Sequence, residues 1–591
     1  MPLTSLNWMS RCGRRPSLLT LVVGAFVLWA AASGSMAASK PGIEIKGGSE
    51  RLRENVRLFL PLYDEACKTP RWRLRSLLRD SQRQIAAAAQ ALGYYHLTFE
   101  HELTVTDDCW NMVITLTPGE PVRVTEIRIV INGEGNEDPA FQALVERPGI
   151  AIRDRLDHGK YETLKNRFPA LAATRGYFDG KFEHSRVAVN TETHSATVEL
   201  VYNTGVRYRI GDINLQQDIL RDEFVERYIN IAEGDYYDSD ALLELKTLYN
   251  SSNFFSSATI TPNLQDAVDG TVPIDIILDP RKRHSYSVGA GFATDTGPRF
   301  LLGIEDRYIN SRGHSVRADL SVSDVITTFE AAYNIPMTRP AKEALKLYYG
   351  YERENTEVSL SEVNQIGVSY TRLGDNDWLY TYALNYQLED SVKGEEEKQR
   401  TNLLIPSVGL SRIHTVGDPS YPQRGWSLTT RLSGSPNTLG SDFSFVQLEA
   451  RAKLIHPFAG GRLLLRTTAG FTEVGEIEQL PVSVLYFAGG DASVRGYDYN
   501  SLGPEVNGIV TGGSNLLVTS IEYDYLIKPR WAVAAFFDQG NASNSHNFDF
   551  KRGAGMGVRW ISPIGPVRID VAKALDDDKG WALHLTMGPD L

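Results

Sequence analysis

The sequence predicts three α+β repeats followed by a 16-stranded antiparallel transmembrane β-barrel. Three observations carry that expectation. Three stretches of the N-terminal half share one order of elements, the C-terminal half changes to period-two hydrophobicity, and its connections sort by length. The expected boundaries are 1–37 for a signal peptide, 38–118, 119–203 and 204–280 for the repeats, and 281–591 for the barrel.

Composition sets the outer limits. At 591 residues, with 23% charged and 10% aromatic residues, the chain is too rich in core-forming side chains for wholesale disorder. Leu18–Ala32 is its one long unbroken apolar run, which excludes a polytopic helical membrane protein. A formal charge of −12 opposes a dedicated nucleic-acid binder.

The first 37 residues read as an export signal. Arg11, Arg14 and Arg15 form the positive region, Leu18–Ala32 the apolar region, and Ser35-Met36-Ala37 a small-residue cleavage site before Ala38. Cys12 leaves with that segment, so Cys67 and Cys109 remain as an even pair in an oxidising compartment. They are expected to form a disulfide in the first mature domain, although spacing alone equally permits two buried thiols.

The repeats follow. Ala86–Pro121, Phe168–Gly205 and Leu242–Pro280 each run helix, a Gly or Asn, two aromatics, then strands. Gly93, Gly176 and Asn253 hold the same place, 83 and 77 residues apart. Val122, Val124 and Ile127 match Tyr208, Ile210 and Ile213 at an offset of 86. A Gly or Asn after a helix suits the left-handed terminal position, and the aromatics start a strand packed on that helix. The full unit reads strand, helix, helix, strand, strand.

From Arg283 onward, apolar residues alternate with small or polar ones. Leu345, Leu347, Tyr349 and Tyr351 are one such face; Trp531, Val533, Ala535 and Phe537 are another. Lipid on one side and a polar lumen on the other produce this pattern. Sixteen segments begin near Arg283, Arg299, His314, Thr327, Glu343, Asn364, Trp378, Arg400, Trp426, Asp442, Arg462, Ser514, Arg530, Gly553, Gly565 and Gly580. The short connections Asn310–Gly313, Gly374–Asp377, Lys528–Arg530 and Ser562–Gly565 follow even-numbered segments. The longest, Glu389–Lys398 and Thr472–Gly513, follow odd ones, with Glu395-Glu396-Glu397 as a solvated tip. Short periplasmic turns and long outer loops are the habit of outer-membrane barrels. Closure of the barrel, with Trp581–Met587 pairing onto the first strand, is expected to satisfy every backbone group.

The connection after the eleventh strand carries Val494-Arg495-Gly496-Tyr497, which resembles the sixth-loop motif of the BamA/TamA outer-membrane insertase superfamily. Phe536-Phe537-Asp538-Gln539-Gly540 is similar to its Phe-x-Asp-x-Gly element on strand thirteen. Gly555-Met556-Gly557-Val558-Arg559 and Gly565-Pro566-Val567-Arg568 resemble its next two strands, and Asp418-Pro419 with Pro422 and Gly425 an earlier turn. The repeats look like POTRA domains, and three of them with sixteen strands resemble the TamA branch. The ending Gly588-Pro589-Asp590-Leu591 departs from the branch's terminal aromatic.

Alternation places Asp538, Gly540, Arg559 and Glu522 on the lumenal face. A loop arginine folded inward meets them as a planar, multi-donor group, and the resemblance implies the same contact between Arg495 and Asp538. The second candidate site is the lateral seam. Tyr286, Gly289 and Gly291 stand on the first strand, and Trp581, Leu583 and Leu585 on the last. Glycines weaken strand pairing, and a weak seam offers a template edge.

The resemblance implies an assembly factor for autotransporters and other β-barrel clients. It implies a TamB-like, inner-membrane-anchored partner meeting the first POTRA domain, contact with outer-membrane lipid, and a role in lipid movement between membranes. The implied location is the outer membrane, with the repeats in the periplasm. No enzyme, cofactor or metal site is expected. Gly313-His314-Ser315-Val316-Arg317 fails as a nucleophile elbow, and no phosphate loop or zinc spacing occurs. The alternative from another class is a two-partner secretion pore exporting one large protein; such pores typically carry two repeats and a plug helix.

Overall fold

A computed structural model of the chain describes residues 41–588, apart from 107, 395–396, 564 and 579. The expected signal peptide, the tip residues Glu395 and Glu396, and the terminal Pro589–Leu591 lie outside the described residues.

Each repeat is a three-stranded sheet covered by helices. In the first, strands Gly42–Lys46, Thr98–Val105 and Trp110–Thr117 are joined through helices Glu50–Phe59 and Arg71–Ala91. Trp110–Thr117 is central, parallel to Gly42–Lys46 and antiparallel to Thr98–Val105. Its alternate residues Trp110, Met112, Ile114 and Leu116 are buried against Leu74, Ile85, Ala88 and Ala89 of the long helix. Small alanines at the contact let the helix lie close to the sheet. Cys67 and Cys109 form a disulfide, Cα–Cα 4.3 Å, that ties the segment before this helix to the strand hairpin. Beside it the Trp110 indole donates to the Ala66 carbonyl at 2.9 Å.

The second repeat uses strands Arg123–Asn132, Lys181–Asn190 and Ser195–Asn203 with helices Pro139–Glu146 and His158–Arg175. The third uses Arg209–Gln216, Phe255–Pro262 and Thr271–Pro280 with helices Asp222–Val225 and Ser239–Ser251. Both copy the first topology, with the last strand central. Gly93 and Gly176 have φ of 83° and 81°, the left-handed position that glycine takes without a Cβ clash. Asn253 corrects the expectation for the third copy, since its backbone is not left-handed. Ser252 caps the helix from an extended conformation, and the Asn253 amide donates instead to Glu305 of the barrel at 3.1 Å.

The C-terminal part is a sheet of sixteen strands, each antiparallel to its sequence neighbours. Barrel strands 1 to 8 are His284–Ala293, Gly297–Asp306, Ser315–Ser323, Ile326–Pro336, Glu343–Asn355, Ser359–Leu373, Leu379–Lys393 and Gln399–Val416. Strands 9 to 16 are Arg424–Ser435, Phe445–Phe458, Gly461–Val474, Asn515–Lys528, Trp531–Ser543, Lys551–Ser562, Gly565–Ala574 and Trp581–Met587. Outward side chains are apolar and exposed, among them Leu347, Tyr349, Val533, Phe537 and Leu583. Among the described residues no helix is long and apolar enough to cross a membrane.

Strand 6 begins at Ser359, ahead of the expected Asn364. Its first residues carry inward serines, Ser359 and Ser361, where the lipid-facing alternation gave no signal. Glu389 is likewise no loop residue. Strand 7 runs on to Lys393, and Glu389 is buried inside the barrel. Strands 6, 7 and 8 are 15, 15 and 18 residues long, well beyond the ~10 that a tilted strand needs to span. The surplus makes a wall around the long loop after strand 11.

The expected pairing of strand 16 with strand 1 is also corrected. The sheet order ends at strand 1 on one side and strand 16 on the other, and among the described residues no backbone ladder joins them. Strand 16 has only seven residues, all in register with strand 15. On the short-turn side, Gly313 lies against the Phe224 and Phe254 rings of the third repeat. The Arg221 N–H there donates to the Ser311 carbonyl at 2.9 Å.

Candidate functional site

Strands 12 to 15 build the lumenal floor on which the sixth outer loop, residues 475–514, rests. Register sets lumenal residues side by side in rows: Ser520, Asp538 and Gly553; Glu522, Phe536 and Gly555; Gly557 and Asp570. Glycines at 553, 555 and 557 therefore form a trough between two polar walls. A Cβ on Gly553 would stand 2.0 Å from the Arg495 carbonyl oxygen, so the loop backbone touches the strand directly.

Arg495 lies in this trough, 4% exposed. Its Nε and Nη2 donate to the two oxygens of Asp538 at 2.7 and 2.9 Å. Its Nη1 donates to Glu522 at 2.9 Å and Asp570 at 3.0 Å, and Nη2 also reaches Ser520 Oγ at 3.3 Å. All five guanidinium N–H positions are thus used. The backbone N–H of Arg495 adds a bond to Asp538 at 3.1 Å, and the guanidinium carbon sits 3.3 Å from the Phe536 ring centroid. Arg559 lies behind, joined to Glu522 at 2.8 Å and in close contact with Asp570. A buried charge is tolerable only with this degree of pairing.

The rest of the motif anchors the loop by packing. Val494 and Tyr497 are buried against Ala488, Leu502, Val518 and Ala574. Gly496 has φ of 100°, and a Cβ there would stand 2.7 Å from the Ala574 nitrogen. Its N–H donates to His584 Nε2 at 2.9 Å. Gly540 has Val518 and Leu517 as its nearest neighbours.

Several anchors escape sequence reasoning. Asp570 stands between the outward-facing Ile569 and Val571, a signal that was available. Phe536 is an aromatic turned inward, against the apolar-outward rule. Glu389 accepts from the Ser483 N–H at 3.1 Å and from its hydroxyl. Glu354 of strand 5 accepts from Tyr499 Oη and Asn500 Nδ2, both at 3.0 Å. On the short-turn side, Tyr421 of the Asp418–Gly425 turn stacks 3.3 Å from Arg462, which forks onto Asp524.

At the seam, Tyr286, Trp581 and Leu583 are exposed; Gly289 lies against Leu301 of strand 2, and the space beside Gly291 is open. The Leu585 N–H donates to Thr294 Oγ1 at 3.0 Å, a side-chain bond across the two edge strands.

Comparison with known proteins adds to this geometry. Residues 282–588 match the Omp85 superfamily domain, residues 42–118 the POTRA domain described as TamA domain 1, and residues 208–281 the surface antigen variable number repeat. Outer membrane protein assembly factor BamA of Nitratidesulfovibrio vulgaris is 22% identical over 68% of this chain and 53% of its own length. The Neisseria meningitidis serogroup B protein of the same name is 21% identical over 82% of this chain and 68% of its own. The chain thus spans between about half and two thirds of these relatives. The crystal structure of Haemophilus ducreyi BamA lacking POTRA domains 1–3 shares the fold, with TM-score 0.67 and 17% identity over 79% of this chain and 99% of that one.

Proposed function

The chain belongs to the Omp85 superfamily, and on that premise we propose that it is an outer-membrane assembly factor of the TamA type. It inserts autotransporters and other β-barrel clients at the seam between strands 1 and 16. The observation that carries this reading is the pair of edge strands without a ladder, beside a loop that Arg495 holds in the lumen. An edge strand presents free N–H and C=O groups, and an incoming client strand satisfies them by addition. The lumenal loop keeps that edge in place while the barrel interior stays filled.

The repeats supply the periplasmic side. The sheet of the first repeat ends in the edge strands Gly42–Lys46 and Thr98–Val105, each open to strand addition on one side. A TamB-like, inner-membrane-anchored partner docks on this repeat; the match of residues 42–118 to a TamA first POTRA domain supports that assignment. Outer-membrane lipid beside the seam is the second medium the barrel handles, which accommodates lipid movement between the membranes.

The test compares outer-membrane and secreted proteomes of cells with and without the protein. Loss of several assembled barrels, autotransporters above all, is the expected result. Loss of one large secreted protein alone would establish the two-partner secretion pore instead. Unchanged proteins with altered outer-membrane lipids would assign the pair to lipid traffic.

A further inference from the structure

Loop six does more than plug the lumen, because one of its side chains reaches both edges of the seam. Asp491 accepts from Thr294 Oγ1 at 3.0 and 3.1 Å, just past the end of strand 1. It also contacts His584 Nδ1 on strand 16. His584 Nε2 accepts the Gly496 N–H at 2.9 Å, so Nδ1 carries the proton and donates it to Asp491. Thr294 Oγ1 in turn accepts the Leu585 N–H at 3.0 Å. The Asp491 N–H donates to Asp295 at 2.6 Å, fixing the loop backbone to the same hairpin.

These bonds form one closed relay across three segments that are distant in sequence. Asp491 and His584 are buried, 9% and 4% exposed, so water competes weakly for them. The two carboxylates and the imidazole lie close enough to hold a cation. Both imidazole nitrogens and both Asp491 oxygens are already engaged by donors and acceptors of the protein itself, which makes the group a fastening rather than a metal centre.

We propose that Asp491 is the clasp of the lateral seam, holding strand 1 through Thr294 and strand 16 through His584 where a backbone ladder would otherwise do so. Release of this one carboxylate removes its hold on both edges and leaves the Leu585 N–H bond to Thr294 to carry the seam, and the Arg495 anchor next to it couples that release to movement of the loop. This deepens the proposed function and rests on the reading that clients enter at the seam.

The test uses the full chain in phospholipid nanodiscs, with spin labels at Val288→Cys and Leu583→Cys, two outward positions flanking the seam. Pulsed dipolar spectroscopy then reads the separation of strands 1 and 16 without any client. Thr294→Val is expected to raise the ratio of open to closed seam roughly five- to tenfold, the effect of losing about one hydrogen bond, and Asp491→Ala, which loses its bonds to both Thr294 and His584, is expected to raise it further. Asp491→Asn keeps one acceptor oxygen but loses the charge and the second acceptor, and is expected to fall between the parent and Asp491→Ala. Distributions for Thr294→Val and Asp491→Ala that match the parent would overturn the clasp. Should Asp491→Ala not fold, Asp491→Asn takes its place, with an unshifted seam as the overturning result, since Thr294→Val also removes the Leu585 N–H bond. A wider seam with normal client assembly in cells would leave the clasp standing and remove the proposed function. An unchanged seam with defective assembly would do the reverse.

Discussion

A single guanidinium joins the loop to three strands, and its removal has a defined cost. Arg495→Ala leaves Asp538 without its forked partner, and Glu522 and Asp570 with Arg559, while Arg466 stands near Asp538 and Glu522. Breaking a buried pair in this way costs about 3–5 kcal/mol, here charged to the docked state of the loop. The expected outcome is a barrel with unchanged strand content by circular dichroism, a loop newly open to protease between 475 and 514, and reduced client assembly. Arg495→Lys restores the charge but not the fork, so it recovers only part of the protection. Protease resistance equal to the parent in Arg495→Ala would remove the anchor role. Asp295 gives a second, pH-dependent handle. Burial, then the facing Asp491 carboxylate, pushes its carboxyl up to about 7; His584 and Tyr499 are the other titratable groups around it. A raised carboxyl pKa stabilises the protonated native form, fully so below its ordinary value and progressively less as pH rises through about 7. The seam is therefore expected to be tighter at pH 6 than at pH 8 in the spin-label measurement, and Asp295→Asn is expected to abolish the difference. A seam that tightens with rising pH would contradict this assignment.

Strand 14 shows how an element serves a loop it does not belong to. Its lumenal face carries three glycines in alternate positions and then Arg559, and the loop backbone comes nearest at Gly553. Gly553→Ala adds one methyl 2.0 Å from the Arg495 carbonyl oxygen, a distance no carbon and oxygen can keep. All charges remain, yet the loop is expected to lift, giving the protease sensitivity of Arg495→Ala with the ion pairs chemically intact. Protection equal to the parent in Gly553→Ala would show that the trough relaxes. Sequence alone displayed this element only in part. Alternation in Phe536–Gly540 and Gly555–Arg559 gives the side each residue faces, so Asp538, Glu522 and Arg559 were legible as lumenal. The partner across the lumen is a different matter, because periodicity along one strand carries no register with a loop. Glu354, Glu389 and Asp491 meet the loop or the seam through contacts more than ninety residues apart in sequence, which no local pattern encodes. The strand ends are hidden from the sequence as well: Ser359–Ser361 and Glu389–Lys393 are strand because they wall in the loop, not because lipid demands apolar residues there.

Across the whole chain, stability is held in separate cores of opposite kind. The repeats bury aliphatic and aromatic side chains between helix and sheet, with one core around Trp110 and another around Phe141 and Phe168. The barrel buries charges around Arg495 and gives its apolar surface to lipid. This contrast is why the number of strands and repeats was legible, since each core writes its own period, while the seam was not, since its fastening is a loop side chain. It also makes damage local. The Cys67–Cys109 bond closes a segment of 42 residues within the first repeat alone, and chain-entropy arithmetic gives such a closure about 4 kcal/mol. That amount rivals the net stability of a small domain. Reduction is expected to speed amide exchange in Arg71–Ala91, inside the closed segment, and in Trp110–Thr117, which starts next to Cys109. Exchange in barrel strands 12 to 15 is expected to stay at the parent rate, because their ladders and ion pairs involve no residue of that repeat. Exchange that stays slow in the first repeat after reduction would mean that its Trp110 core suffices without the bond. Faster exchange in strands 12 to 15 would mean that the cores are energetically coupled, and the division into locally stabilised parts would have to be given up.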